Sequence, residues 1–311
     1  KHRMIYGKLK KRDVTENREM SDRHRTSAGG SRMKKLSESA EDVMDYSIVF
    51  TDIDGTLLNS AHQVTEATAA GIRALDRAGI PVVFVSARMP MAIYPLQEQI
   101  GFHAPIICYS GALTLDRDGK PVKSICLSAE TVEAMKRLLP AETEECCFCS
   151  YVDNRWIVSN PEHVQIRSEH RITGADPEMG DPFMPGRAVH KILGFGPQAL
   201  LDETMRKLKQ AFPECTIVKS APHLLEIMDG EVSKADALVD LCKKMGISED
   251  KAAAFGDNYN DLEMLQSAGL GIAMGNAPED VKQAADEVTL DNDHDGLLAA
   301  LRRLFPEGGS F

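Results

Sequence analysis

The chain has 311 residues, 43% of them hydrophobic, which is enough to bury the cores of about two domains. Its 36 Lys/Arg against 47 Asp/Glu leave a formal charge of −11, which argues against a polyanion binder, so nucleic acid is not an expected partner. No apolar run approaches the roughly 18–20 residues of a membrane helix, and seven cysteines, an odd number, make a disulfide framework unexpected. A reducing, cytoplasmic setting without membrane attachment is the expectation.

Charge is unevenly spread. Residues 1–44 carry twelve Lys/Arg against seven Asp/Glu and have little apolar periodicity. Such a segment could touch nucleic acid or an acidic membrane, but it reads more simply as a disordered or non-native leader outside the fold. From Tyr46 the pattern changes. SIVFTDID is a short β-branched run ending in carboxylates, as a buried parallel strand would. Thr65 to Ala78 reads as a helix stopped by Gly79. IPVVFVSAR is a second strand, Met89 to Ile100 a helix interrupted near Pro95, and APIICYSGAL a third strand. The middle of the chain has another rhythm: ECCFCSYVDNRWIVSN is a strand pair turning at Asp153-Asn154. AVHKILGFG and CTIVKSAPHLLEIMDG add strands, with a helix over Gln198–Ala211 between them. AAAFGD, LGIAMG and EVTL then restore the strand–helix alternation, with helices starting near Asp261, Ala277 and Asp295. The expected fold is α/β: a doubly wound, Rossmann-like parallel-sheet core over 45–121 and 230–305, with an α+β domain over 122–229 inserted into it.

Asp52 and Asp54 sit at the end of the first strand, spaced to point to one face. Gly55 permits a sharp turn, and Thr56 can hydrogen-bond the loop it opens. Taken alone, DIDG also fits a solvated turn. Asp257 and Asp261, in GDNYND, lie after another buried strand, one helical turn apart. Helix capping accounts for one of them, but not for both with Asn258 and Asn260 beside them. Four carboxylates at strand ends make a hard-oxygen site suited to Mg²⁺ rather than zinc. Ser86 again ends a strand, where its hydroxyl could hold a phosphate oxygen or cap a helix. Lys234 opens a helix, where the dipole disfavours a cation, so a role at a site is favoured over a purely structural one. Cys146, Cys147 and Cys149 lack zinc-ligand spacing and read as buried thiols.

Together, DIDGT at 52–56, SAR at 86–88, Lys234 in VSKADAL and GDNYND at 256–261 resemble the four motifs of the haloacid dehalogenase superfamily in order and separation. DNDHDGLLAAL at 291–301 is similar to the closing segment of its Cof-type sugar-phosphatase branch, and the resemblance spans about 46–304. It implies that the insert is a cap domain. It implies Asp52 as nucleophile and Asp54 as general acid and base. It implies Mg²⁺ on Asp52, Asp54 (through its carbonyl), Asp257 and Asp261, and phosphate or substrate contacts from Ser86, Lys234, Gly111 and Asn260. Arg88 fits either a substrate contact or a structural ion pair. The branch carries Asn-Gly where this chain has Ser110-Gly111.

The implied activity is Mg²⁺-dependent hydrolysis of a small phosphorylated metabolite, a sugar phosphate foremost, through an aspartyl-phosphate. A phosphomutase of the same superfamily and an idle phosphometabolite-binding regulator are the alternatives. Neither the particular substrate nor the oligomeric state, monomer or weak dimer, is legible in the sequence.

Overall fold

The structure is a computed structural model that describes residues 46–183 and 188–306. Residues 1–44, read above as a leader, lie outside the described part.

In chain order, β1 (Ile48–Asp52), α1 (Glu66–Arg77), β2 (Val82–Val85), α2 (Pro90–Ile100), β3 (Ile106–Cys108), β4 (Leu113–Leu115) and β5 (Pro121–Ser124) come first. Next are α3 (Ala129–Lys136), β6 (Cys147–Val152), β7 (Arg155–Val158), α4 (Val164–Thr173), β8 (Glu178–Met179), β9 (Lys191–Phe195), α5 (Gln198–Ala211), β10 (Cys215–Ala221) and β11 (Leu224–Asp229). The chain closes with α6 (Lys234–Met245), β12 (Ala252–Gly256), α7 (Leu262–Ser267), β13 (Leu270–Ala273), α8 (Glu279–Ala284), β14 (Glu287–Val288) and α9 (Gly296–Leu304).

Eight strands form one sheet in the order β14-β13-β12-β1-β2-β3-β4-β5, parallel as far as β3. Its strands alternate between two apolar layers, as the two-residue period requires. Val49, Phe84 and Phe255 pack with Ile72 and Leu75 of α1, Ile93 of α2 and Leu301 of α9. Ile48, Phe50 and Ala254 pack with Leu238 and Leu241 of α6, Met264 of α7 and Val281 of α8. Helices on both faces make the sheet doubly wound, as expected. The sequence of strands reverses direction between β1 and β12, so a crevice opens at their carboxyl ends.

Three local features depart from the sequence reading. APIICYSGAL is two strands, β3 and β4, antiparallel across a 3-10 turn in which Tyr109 and Ser110 take positive φ. Residues 121–124, divided between core and insert above, extend the core sheet as β5, because the 116–119 turn folds them back onto β4. Pro95 lies inside α2 without ending it.

The second sheet, β10-β11-β9-β6-β7-β8, is antiparallel except at β7–β8 and is inserted between β5 and α6. Ile192, Leu225 and Ile227 face Leu201 and Leu208 of α5 on one side. The other side, with Cys149, Tyr151 and Leu193, joins the apolar cluster that includes Tyr109 and Leu113 of the core.

Candidate active site

Asp52 ends β1, Ser86 follows β2 and Asp257 follows β12, so three neighbouring strands deliver them to one edge of the sheet. Asp52 shares the face of Ile48 and Phe50, the one covered by α6, and this is why Lys234 can reach it. Lys234 is the first residue of α6, whose N-cap Ser233 accepts from the amides of Ala235 (3.1 Å) and Asp236 (3.3 Å).

Lys234 Nζ donates to Asp52 Oδ1 and to Asp261 Oδ1, each at 2.6 Å, with all three side chains at most 10% exposed. Asp261 Oδ2 accepts from the amides of Asp257 (3.1 Å) and Asn258 (3.0 Å), so the capping role foreseen for one of these acids falls to Asp261. Asp257 Oδ1 accepts from Thr56 Oγ1 at 3.1 Å. Gly55, at φ +87°, passes so close to Asp257 that a Cβ would stand 2.4 Å from Oδ2. Here glycine is required by contact as well as by conformation.

Charge is short of balance. Carboxylate oxygens of Asp52, Asp257 and Asp261 lie within 4.8 Å of one another around a single lysine, the one such group with metal-ligating side chains among the described residues. Burial pushes the Asp52 carboxyl well above the usual range; Lys234 pulls it down and Asp261 adds to the rise. Burial, then the charge of Asp261, raises Asp257 to about 6 against the Thr56 hydrogen bond. Burial works against the Lys234 charge, but the two aspartates more than offset it and hold the proton more firmly than in free lysine. An all-oxygen donor set with excess negative charge fits a hard divalent cation such as Mg²⁺.

Asp54 stands apart. Its carboxylate is half exposed and is gripped by Arg88, with Nε on Oδ2 at 2.9 Å and an η-nitrogen on Oδ1 at 2.6 Å. Arg88 is therefore in an ion pair with Asp54, one of its two foreseen roles. Ser86 is buried, and its Oγ accepts from the Arg88 amide at 3.2 Å. Gly111, at φ +111°, touches the carbonyl of Ser233 and so abuts the start of α6. Asn260 is exposed and lines a cleft of about 770 Å³ with Gly230, Ser233, Tyr259 and Glu263; none of the four site aspartates lines it.

One contributor was missed. Asn276, just after β13, donates to the Gly55 carbonyl at 2.9 Å and to Asp257 Oδ2 at 3.3 Å, while its own Oδ1 accepts from Asn292 at 3.1 Å. An Asn three residues beyond a core strand, at the same sheet edge, is the signal that marks it. Cys146, Cys147 and Cys149 are buried thiols, as read from the sequence, and burial pushes their titration up. Trp156 is core, stacked on Tyr151 at 6.1 Å. No helix among the described residues is long and apolar enough to cross a membrane.

Over residues 49–301 the chain matches the family of haloacid dehalogenase-like hydrolases. It belongs to that family. A Haemophilus influenzae protein whose name marks it as a candidate phosphatase is 36% identical over 274 residues, 85% of this chain and 100% of that one. The 5-amino-6-(5-phospho-D-ribitylamino)uracil phosphatase YcsE of Bacillus subtilis is 28% identical over 267 residues, covering 86% and 98%. The crystal structure of a haloacid dehalogenase-like hydrolase from Bacteroides thetaiotaomicron superposes with a TM-score of 0.77 at 28% identity, covering 84% and 100%. The haloacid dehalogenase-like fold thus accounts for the parallel core, at whose switch point the acidic cluster lies.

Proposed function

We propose that this hydrolase is a Mg²⁺-dependent cytoplasmic phosphatase acting on a small phosphorylated metabolite, a sugar or sugar-alcohol phosphate, with the 122–229 insert as its specificity cap. The observation that carries the reading is the buried Asp52–Lys234–Asp261 chain beside Asp257, with a fourth acid, Asp54, within reach of solvent. The phosphatase names of full-length relatives support the reaction class, and the phosphoribityl group in one of those names supports the substrate class.

Asp52 attacks phosphorus; the bond from phosphorus to the leaving oxygen breaks, and a carboxylate–phosphoryl bond forms. Asp54 delivers a proton to the leaving oxygen, then removes one from the water that hydrolyses the aspartyl-phosphate, so its proton is restored each turnover. Lys234 holds Asp52 in orientation and, with Ser86, grips phosphoryl oxygens. Asp52, Asp257 and the Asp54 carbonyl would hold Mg²⁺, with Asp261 orienting the set. When bound, the ion offsets the carboxylate and phosphate charge and polarises the phosphoryl group.

The test is phosphate release from a panel of phosphorylated metabolites and from p-nitrophenyl phosphate, with Mg²⁺ and with EDTA. Release that needs Mg²⁺ is expected. Binding without release would favour a regulator, and return of the phosphoryl group to substrate a phosphomutase.

A further inference from the structure

Lys191 and Glu226 lie on adjacent antiparallel strands of the insert, β9 and β11, and both project from the sheet face turned toward the core. The register pairs Leu193 with Glu226 and Lys191 with Tyr151, and Leu193 and Tyr151 belong to the apolar cluster shared with the core. The lysine is buried, with Nζ 5.3 Å from the centroid of the Tyr151 ring and 3.4 Å from Glu226 Oε2. Burial pushes the Glu226 carboxyl up, but Lys191, a Ser220 hydrogen bond and the more distant Lys234 charge together hold that carboxyl below its usual range. A buried ion pair is poor evidence of stabilisation, because desolvation offsets most of its attraction. This one makes a further contact: Nζ donates to the carbonyl of Ala87 in the core at 2.9 Å.

That carbonyl belongs to the peptide joining Ala87 to Arg88. The same peptide's N–H donates to Ser86 Oγ at 3.2 Å. The unit is thus pinned at both ends, at nitrogen by the core and at oxygen by the insert. Arg88, which it carries, forks onto both oxygens of Asp54. Rotation of this peptide would swing the guanidinium away from the acid. Two neighbouring contacts also cross from insert to core: Asn154 Oδ1 accepts from the Met91 amide (2.7 Å), and Tyr109 donates to the Asp153 carbonyl (2.8 Å). Neither touches the 87–88 peptide.

We propose that Lys191, braced by Glu226, is a positioning residue for Asp54: it ties the insert to the Ala87–Arg88 peptide, so that the acid is oriented when the insert is docked. The inference rests on the phosphatase reading above, with Asp54 as proton donor. A donor matters most when the leaving group is a poor anion, and general acids contribute roughly 10²- to 10⁴-fold.

The experiment compares kcat/KM for glycerol phosphate, an alkyl ester, with that for p-nitrophenyl phosphate, whose leaving group is already a stable anion. The variant K191M/E226L removes both charges of the pair together, so that the Glu226 carboxylate is not left buried without its lysine. It should lose about 10- to 100-fold on glycerol phosphate and under about threefold on the aryl ester. K191R, which keeps a donor, should recover much of the loss. E226Q should show the same selective loss more weakly, and N154A, which cuts a different insert–core bond, should show no selectivity. Equal losses on the two substrates, or no loss, in a folded K191M/E226L protein overturn the inference. If the double variant does not fold, a non-selective E226Q overturns it. A wild-type protein inactive on both esters overturns the phosphatase reading itself, and this inference with it.

Discussion

Replacing Lys234 by Met leaves three carboxylates facing one another with no cation among them. At 2.6 Å and an effective dielectric near 20, each of the two ion pairs of Lys234 is worth about 6 kcal/mol of gross attraction. The three carboxylate pairs, within 4.8 Å, each repel by at least about 3.5 kcal/mol on the same scale. The lysine therefore offsets the mutual repulsion of the cluster, at the cost of its own desolvation. Breaking a buried pair by removing one partner costs about 3–5 kcal/mol net. For a protein of this size that corresponds to a fall in Tm of roughly 6–20 °C. The loss should depend on pH. Lys234 binds its proton more firmly folded than unfolded, so its stabilisation is fully present below the unfolded lysine pKa and constant between pH 5 and 7.5. The carboxyls of Asp52 and Asp257 have raised pKa values, so their penalty applies above the folded value and is relieved as pH falls and they take up protons. Thermal unfolding in EDTA should thus show a large deficit for Lys234→Met at pH 7.5 and a smaller one at pH 5. A deficit below about 1 kcal/mol, or the same deficit at both pH values, would refute this account of the cluster.

Three further outcomes follow from the same geometry. Because Asp257 is raised to about 6 and must be ionised to ligate, Mg²⁺ should raise Tm more at pH 7.5 than at pH 5, as calorimetry at fixed ionic strength can check. Gly111→Ala forces a side chain into a φ of +111° and to 2.3 Å from the Ser233 carbonyl, displacing the start of α6. It should cost about 1–3 kcal/mol in urea unfolding and lower kcat through Lys234. Arg88→Ala frees an acid that is half exposed, so stability should change by less than about 1 kcal/mol. Its loss of kcat on alkyl phosphates should exceed that on p-nitrophenyl phosphate.

What was legible in the sequence follows from which forces act locally. The parallel strands announce themselves because burial on both faces demands uninterrupted β-branched and aromatic runs, and SIVFTD, IPVVFV and AAAFG are such runs. The aspartates could be paired across some 200 residues because each stands where one of these strands ends. The break between β3 and β4 was hidden, since Tyr109 and Ser110 hold positive φ under tertiary packing that no local propensity signals. Likewise β5 is a polar edge strand of four residues, with nothing in PVKS to separate it from a loop. The engagement of Asp54 by Arg88 and the reach of Lys191 to Ala87 depend on side chains meeting across the assembled fold. Spacing along the chain carries no trace of them.

The central claim is that Asp52 is the nucleophile of a phosphatase, and Asp52→Asn tests it most directly. The amide is nearly isosteric and can still accept from Lys234, so the fold should survive, while an amide cannot form the acyl-phosphate. Phosphate release with Mg²⁺ should fall by roughly three orders of magnitude or more in a protein whose unfolding curve remains cooperative. A folded variant that retained more than about a few per cent of wild-type release would contradict the account.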